Sequence, residues 1–275
     1  MTDQIEKPVC MTIAGVDPSG GAGVIADIKT FTAFGCYAAA AISSLTFQNT
    51  TGVFGSVDQD AASIKGQISA VLDDLPVAAV KTGMLPNRGV IETAAALLKE
   101  SSVKNLVVDP VVRSTSGYDL IDDAALRAVI EDLFPLSSIV TPNLQEAERI
   151  SGMKIDSVDA VRLAAEKMIS FGAKNVLIKG GHFFDDAAEN RMAVDHLFTS
   201  GGDNRTFEAP FIETDFTHGT GCVLAAAITA NLAKGNSLVD SIAISKEFVT
   251  EAIRTAYKLG RGHSPVNIPT DRRWL

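Results

Sequence analysis

The sequence is poor in cysteine and in positive charge. Its 275 residues include three cysteines, Cys10, Cys36 and Cys222, which lie far apart and form no C-x-x-C pair. Few and scattered cysteines are typical of a reducing compartment, so we expect neither a disulfide nor a zinc site. Lys and Arg number 24 against 33 Asp and Glu, giving a net charge of -9. This balance disfavours binding to nucleic acid or to an anionic membrane.

Long hydrophobic runs are absent as well. The N-terminal stretch MTDQIEKPVCMTIAG contains acidic residues and only about six consecutive apolar residues, too few for a signal peptide or a membrane span. We therefore predict a cytoplasmic protein. The sequence has no internal repeat, low-complexity tract or linker, so residues 1–275 are predicted to form one domain.

The sequence does contain a regular alternation of apolar runs and amphipathic stretches. The runs that we predict as buried strands are VCMTIAG, AAAISSLTF, VAAVKTG, NLVVDP, SSIVTPN and NVLIKGG. This alternation predicts an α/β fold with a mostly parallel sheet covered on both faces. The segment around residues 201–203 predicts a β-hairpin at a sheet edge. The C-terminal segment predicts two helices that end at Gly235 and Gly260.

The motif THGTGC, residues 217–222, places poor helix formers directly before a long apolar helix. Ligands of parallel sheets bind where strands end and helix N-termini expose N–H groups. We therefore predict that the amides of Gly219, Thr220, Gly221 and Cys222 hold an anion such as a transferring phosphoryl group. Cys222, in the first helical turn, is predicted to have a lowered pKa and to act as a base. A glycine-rich helix entry without a ligand is the alternative.

A second glycine-rich turn, GVDPSGGAG at residues 15–23, connects the first strand to the first helix. It imitates a dinucleotide fingerprint, which requires an acidic residue about 20 positions further on. No Asp or Glu lies between Asp27 and Asp58, so NAD is disfavoured. A P-loop motif is absent too, which excludes that type of nucleotide site.

Polar residues follow the other predicted strands. They are Lys81, Asp109, Asn143, Glu146 and Lys179. Alone, each is more often a helix cap or a turn residue. Together they predict two carboxylates that hold Mg²⁺ through water and a lysine that meets phosphate oxygens. His182 and His218 lie beside glycines and are predicted to make turn hydrogen bonds, whereas Met84 beside Leu85 favours a core position.

Seven motifs resemble those of bacterial hydroxymethylpyrimidine and hydroxymethylpyrimidine phosphate kinases of thiamine biosynthesis, in the ribokinase-like superfamily. In order they are TIAGVDPSGGAGVIADIKTF, QNTTGV, KTGML, VVDPVV, TPNLQEAE, LIKGGH and THGTGC. The resemblance spans nearly the whole chain. It implies a three-layer α/β/α sandwich and ATP- and Mg²⁺-dependent phosphorylation of a small pyrimidine alcohol and then of its monophosphate. It also implies a homodimer.

The resemblance further implies roles for individual residues. Cys222 holds the position at which related sugar kinases have an aspartate base, beside the anion hole of residues 219–221. Asn143 and Glu146 match an N-x-x-E magnesium motif, and Asp109 matches its companion acid. Lys179 and Asn143 are assigned to the nucleotide. The positions assigned to the pyrimidine pocket are Gly15, Asp27, Gln48 and Met84.

The chain departs from the family pattern at two places. Thr115 stands where many relatives have a lysine, and residues 264–268 read SPVNI where GPVNH is usual. The first departure bears on the second phosphorylation, because a lysine that reaches phosphate is absent from that position.

Two other functions compete with this interpretation. A pyridoxal kinase shares KTGMLP, but Gln48 opposes it because a side-chain amide matches the ring nitrogen and exocyclic amine of an aminopyrimidine. Pyridoxal lacks that amine. A non-catalytic regulator that binds the pyrimidine is the alternative from another class. Such a regulator would need neither the anion hole nor Cys222 nor the N-x-x-E motif.

Overall fold

A computed structural model describes residues 7–112, 120–180 and 191–275 of the chain. Its strands are β1 Val9–Val16, β2 Tyr37–Asn49, β3 Gly52–Asp58, β4 Val77–Thr82, β5 Asn105–Val108, β6 Ile139–Val140, β7 Asn175–Lys179, β8 Met192–Thr199 and β9 Asn204–Pro210. Its α-helices are α1 Gly23–Ala33, α2 Ala61–Leu72, α3 Arg88–Glu100, α4 Asp123–Ala128, α5 Leu144–Ser151, α6 Val158–Ser170, α7 Thr220–Ala233 and α8 Leu238–Arg254. A π-helical turn over Val129–Leu133 follows α4.

The strands form a single sheet in the order β3-β2-β1-β4-β5-β6-β7-β8-β9. The six central strands are parallel to one another; in sheet order they are β2, β1, β4, β5, β6 and β7. Strand β3 at one edge is antiparallel to β2, and at the other edge β8 is antiparallel to β7 and β9 to β8. The predicted mostly parallel sheet is therefore confirmed. The predicted hairpin is confirmed as β8 and β9, which lie at the end of the sheet.

Two hydrophobic cores lie on opposite faces of this sheet. Side chains of a strand alternate between faces, so in β1 Met11 and Ile13 pack with α2 to α6, while Cys10 packs with α1, α7 and α8. Helices therefore cover both faces, and the three-layer α/β/α sandwich is confirmed. Helix α7 carries buried residues on all sides because it packs against both the sheet and the neighbouring helices α1 and α8.

The expected end of α8 at Gly260 is wrong, since the helix ends at Arg254. Beyond it the chain turns back, and Asn267 donates its backbone N–H to the carbonyl of Ala252 at 3.0 Å. Pro265 also forms a β-bridge with His218. These tertiary bonds end the helix and attach the C-terminal segment to the THGTGC turn. The other expected stop, Gly235, does follow α7, with a φ of 87°.

Within the described ranges, the helices are too short or too polar to cross a membrane. All three cysteines are free thiols.

Candidate active site

A cavity of about 400 Å³ opens where the parallel strands end and the helices begin. This size suits a small molecule. The predicted residues that line it are Gly15, Gln48, Met84, Asp109, Asn143, Glu146, Lys179, Gly219, Thr220, Gly221 and Cys222. Two glycine-rich turns, the ends of β2, β4, β5, β6 and β7 and the N-terminus of α7 thus meet at one place, as the rule for open parallel sheets predicts.

Asp27 is the one predicted site residue that does not line the cavity. It is fully buried and accepts hydrogen bonds from Lys81 Nζ at 2.8 and 3.0 Å and from Thr12 Oγ1 at 2.6 Å. The structure places Asp27 behind Lys81, its ion-pair partner, which lies in the cavity wall. Burial alone would lower the pKa of Lys81, but the charge of Asp27 raises it above its ordinary value.

The glycines of the THGTGC turn are required by close approaches. Gly219 has a φ of 85°, and a Cβ at this position would collide with the carbonyl oxygen of Gly21. A Cβ on Gly221 would lie 3.2 Å from Nζ of Lys179. No side chain caps α7. The positive end of its dipole is therefore directed at the cavity and suits an anion.

Cys222 lies in the first turn of α7, as predicted, but its pKa moves in the direction opposite to the prediction. Burial raises the pKa of its thiol to about 11, although the nearby charge of Lys81 acts to lower it. The helix dipole does not offset the loss of hydration, since removing a thiolate from water is the larger effect here. Without ligands, Cys222 is therefore a neutral thiol near pH 7.

Asp109, Lys179 and Glu146 form a charged cluster beside this helix. Oδ1 of Asp109 accepts hydrogen bonds from Lys179 Nζ at 3.0 Å and from Thr141 Oγ1 at 3.1 Å. Burial, together with the charge of Asp109, raises the pKa of Glu146 to about 7, while Lys179 acts to lower it. A cation beside the two carboxylates would relieve this repulsion.

The N-x-x-E motif also serves as a capping box. Asn143 Oδ1 accepts from the backbone N–H of Glu146 at 2.9 Å, and Glu146 Oε2 accepts from that of Asn143 at 2.7 Å. Helix α5 therefore begins at the motif and fixes the carboxylate of Glu146 at the cavity wall. In the described part of the chain, no three His, Cys, Asp or Glu side chains converge on a metal position. A Mg²⁺ ion held by Asp109 and Glu146 would complete its shell with water and phosphate oxygens.

Sequence reasoning missed a buried pair at the other end of the cavity, between Asp17 and His218. Nε2 of His218 lies 2.8 Å from Oδ2 of Asp17, and both residues line the cavity. His218 was predicted only to make turn hydrogen bonds, and its backbone does bond Ser264 and Val266. The available indication was that each residue belongs to a glycine-rich turn, where charged groups are close to any ligand.

Gln48 and Met84 lie near this pair. Oε1 of Gln48 is 3.3 Å from Thr46 Oγ1, and both side chains are on the cavity wall. Sδ of Met84 is 3.1 Å from the place that a Cβ on Gly15 would occupy, so a larger residue at position 15 would displace Met84. Met84 is half-buried and lines the cavity, as the resemblance implies, rather than being fully enclosed in the core.

The opposite end of the cavity is apolar. Its lining includes Pro210, Phe211, Ile212, Leu224, Val249 and Ile253. An ion pair between Lys246 Nζ and Asp195 Oδ2, at 2.7 Å, borders this end. A flat heteroaromatic group suits such a surface. Thr115 and His182 lie outside the described residues.

Comparisons with known proteins agree with the resemblance. The family model described as phosphomethylpyrimidine kinase matches residues 17–267. A hydroxymethylpyrimidine/phosphomethylpyrimidine kinase of Bacillus subtilis is 42% identical over 257 residues, which are 94% of this chain and 93% of that protein. The thiamine biosynthesis bifunctional protein ThiED of Geobacter sulfurreducens is 45% identical over 94% of this chain, which spans only 51% of that longer protein.

Solved structures give the same result. A phosphomethylpyrimidine kinase from Clostridium difficile superposes with a TM-score of 0.77 at 42% identity, covering 90% of this chain and 100% of that one. A pyridoxal kinase from Staphylococcus aureus, solved with AMP-PCP and pyridoxal, superposes with a TM-score of 0.88 at 30% identity, covering 98% and 96%. Kinases of two vitamin alcohols therefore share this fold.

Proposed function

The chain belongs to the phosphomethylpyrimidine kinase family, and we propose that it transfers the γ-phosphoryl group of ATP to 4-amino-5-hydroxymethyl-2-methylpyrimidine and then to its monophosphate. The product is the pyrimidine diphosphate used in thiamine biosynthesis. One observation carries this proposal. A single cavity joins the amide of Gln48 to the uncapped N-terminus of α7, which bears Cys222.

The arrangement supports an in-line transfer between two ends of the cavity. The pyrimidine lies against Gln48 and Met84, with its hydroxymethyl oxygen toward Cys222. The amides of residues 219–222 hold the oxygens of the transferring phosphoryl group, where charge develops in the transition state. Cys222 in its thiolate form takes the hydroxyl proton, or the thiol orients the hydroxyl.

The nucleotide occupies the other half of the cavity. Its adenine ring lies in the apolar end beside Val249 and Ile253, and Lys179 and Asn143 contact the phosphates. Asp109 and Glu146 would hold Mg²⁺, which supplies charge neutralisation to the phosphate groups. The protein has a net charge of -9 and therefore needs that cation to bring a polyphosphate to two carboxylates.

The test is ADP release with ATP, Mg²⁺ and each candidate alcohol in turn. We expect turnover with the hydroxymethylpyrimidine and with its monophosphate. Turnover with pyridoxal alone would contradict the proposal, and binding of the pyrimidine without ADP release would favour a regulator. Phosphorylation of the monophosphate is the more informative of the two reactions. The chain has Thr115 at the position where the resemblance implies a lysine that reaches phosphate.

Replacement of Glu146 by glutamine should weaken the dependence on magnesium. The amide keeps the size of the side chain but removes a negative charge from the proposed site. We expect half-maximal activity at a Mg²⁺ concentration about tenfold higher or more, the effect of about 1.4 kcal/mol of lost ion binding. Magnesium titration of the two proteins measures this, with Glu148→Gln on the same helix as the control. An unchanged titration would remove Glu146 from the metal site.

A pyridoxal kinase is the second candidate, supported by the similar fold of the S. aureus enzyme. Gln48 separates the two functions, since a buried hydrogen bond lost from a polar site costs about 1 to 3 kcal/mol. Gln48→Met should lose pyrimidine turnover by about tenfold or more, while pyridoxal turnover falls less or rises. Steady-state rates with both alcohols measure this. Equal losses for both would show that Gln48 is structural.

We propose that the enzyme is a homodimer formed through β2 and β3. Large apolar side chains are exposed there, including Leu45 at 44%, Phe47 at 54%, Phe54 at 67% and Val57 at 51%. Leu45 and Val57 are direct cross-strand neighbours, so they form part of a continuous patch. Light scattering should give twice the mass of one chain. Phe47→Glu should give one chain mass, and a monomeric unsubstituted protein would contradict the proposal.

A further inference from the structure

His218 lies where three parts of the site meet. Its backbone belongs to the THGTGC turn, and its Nε2 lies 2.8 Å from Oδ2 of Asp17 in the glycine-rich turn of residues 15–23. The same nitrogen is 3.4 Å from Nε2 of Gln48 on β2. His218 is 6% exposed and Asp17 is 3% exposed, so both side chains are buried where they contact each other. The ring of His218 therefore couples two turns to the residue that contacts the pyrimidine.

Contact with Asp17 determines whether Nε2 of His218 is protonated. The carboxylate of Asp17 accepts hydrogen bonds from the N–H and hydroxyl of Ser19 at 2.8 and 2.7 Å and from the N–H of Ala22 at 3.0 Å. Burial alone would raise the pKa of Asp17, but its hydrogen bonds with His218 and Ser19 hold it below its ordinary value. An ionised carboxylate only accepts hydrogen bonds. Nε2 of His218, at 2.8 Å, must therefore carry a hydrogen.

The orientation of the Gln48 amide follows from this proton. Nε2 of His218 carries one hydrogen, which is directed at Asp17, and has no free lone pair. It therefore cannot accept from the NH₂ group of Gln48, whereas an amide oxygen in that place can share the hydrogen. At the other end of the amide, the hydroxyl of Thr46 donates its single hydrogen to the carbonyl of Val16 at 2.8 Å. Thr46 can then offer only lone pairs to Gln48. Rotating the side-chain amide of Gln48 by half a turn exchanges its oxygen and its NH₂ group, which are nearly equal in size. The oxygen then faces the N–H of His218, and the NH₂ group faces the lone pairs of Thr46.

We propose that His218, held by Asp17, is a positioning residue that fixes the Gln48 amide with its oxygen toward His218 and its NH₂ group toward Thr46. This inference rests on the proposed function. A fixed amide presents an acceptor and a donor in one order. It therefore bonds an edge on which an exocyclic amine lies beside an acceptor ring nitrogen. The corresponding 4-oxo pyrimidine presents a carbonyl and a ring N–H, which is the reverse order.

The experiment compares the 4-amino substrate with its 4-oxo analogue, 5-hydroxymethyl-2-methylpyrimidin-4-one. His218→Phe keeps a ring of similar size but supplies no hydrogen, so the amide of Gln48 loses one of the two contacts that orient it, and only Thr46 remains. We expect the ratio of kcat/KM for the 4-amino over the 4-oxo compound to fall by about tenfold or more, mainly through KM. His218→Gln, whose amide can donate, should retain the ratio within about threefold.

A merely structural role would lower both activities together and leave this ratio unchanged, and that result would overturn the inference. His196→Phe, a half-buried histidine on β8 that does not line the cavity, is the control for general effects of the substitution. Lack of pyrimidine phosphorylation by the unsubstituted enzyme would instead contradict the proposed function. The two failures are therefore distinguishable.

A measurement on the unsubstituted protein keeps the inference testable should His218→Phe not fold. The NMR signals of the Gln48 NH₂ group, assigned by their loss in Gln48→Glu, should show proximity to the methyl group of Thr46. Proximity to the carbon-bound hydrogens of the His218 ring instead would place the NH₂ group at the wrong end and overturn the inference.

Discussion

Replacement of Cys222 by alanine is expected to lower turnover by about two to four orders of magnitude, the usual contribution of one positioned base. The variant should fold normally, because Cys222 as a whole residue is partly exposed at the cavity wall and alanine is favourable in a helix. Steady-state ADP release with the pyrimidine alcohol measures the loss. Cys36→Ala is the matched control, since Cys36 is buried in the core formed by α1, α7 and α8 and does not line the cavity.

The pH dependence of turnover tests whether the thiolate of Cys222 is the base, which the loss of activity in Cys222→Ala alone does not show. With a pKa of about 11, the thiolate that acts as a base forms only as the pH rises. Turnover of the unsubstituted enzyme should therefore increase above pH 7, by up to about tenfold per pH unit. This increase should be absent in Cys222→Ala. In Cys222→Asp, which places a carboxylate there, it should occur at lower pH. Near-normal turnover in Cys222→Ala would show that the base is a different group.

Local sequence patterns predicted the elements whose cause is local. Apolar runs determine the buried strands, so β1 and β4 lie within one residue of the predicted runs and β7 begins at the predicted residue. The glycine-rich turn before α7 was predictable because only glycine tolerates the backbone of residue 219 so close to residue 21. The position of the cavity followed from the rule for open parallel sheets.

The features that the sequence did not predict all depend on contacts between residues distant in sequence. Asp27 and Lys81 are 54 residues apart, and Asp17 and His218 are 201 apart, so neither pair has a local pattern. The pKa of Cys222 was predicted from the helix dipole, which is local, whereas burial by the rest of the fold determines its direction. Helix α8 ends early because the segment after it returns to the THGTGC turn.

The buried ion pair between Asp27 and Lys81 lies beside the active site and affects the stability of the fold. Both side chains are 0% exposed, and Lys81 also lines the cavity near Cys222. A buried charge that loses its partner is strongly unfavourable, whereas the loss of both charges together is often tolerated. The effect of a substitution therefore depends on which charge remains.

Lys81→Met is expected to lower the free energy of unfolding by about 3 to 5 kcal/mol near pH 7, because it leaves Asp27 buried without a counter-charge. Asp27 will then be protonated in the folded state, with a raised pKa, but ionised in the unfolded state. Stability of the variant should therefore fall as the pH rises from 5 toward 8, by up to about 1.4 kcal/mol per pH unit. Urea unfolding over this range measures both effects.

The double variant Lys81→Met with Asp27→Leu is the control. It should regain most of the lost stability and should not show the added pH dependence, because no buried charge remains. A single variant as stable as the unsubstituted protein at every pH would show that the pair is not ionised.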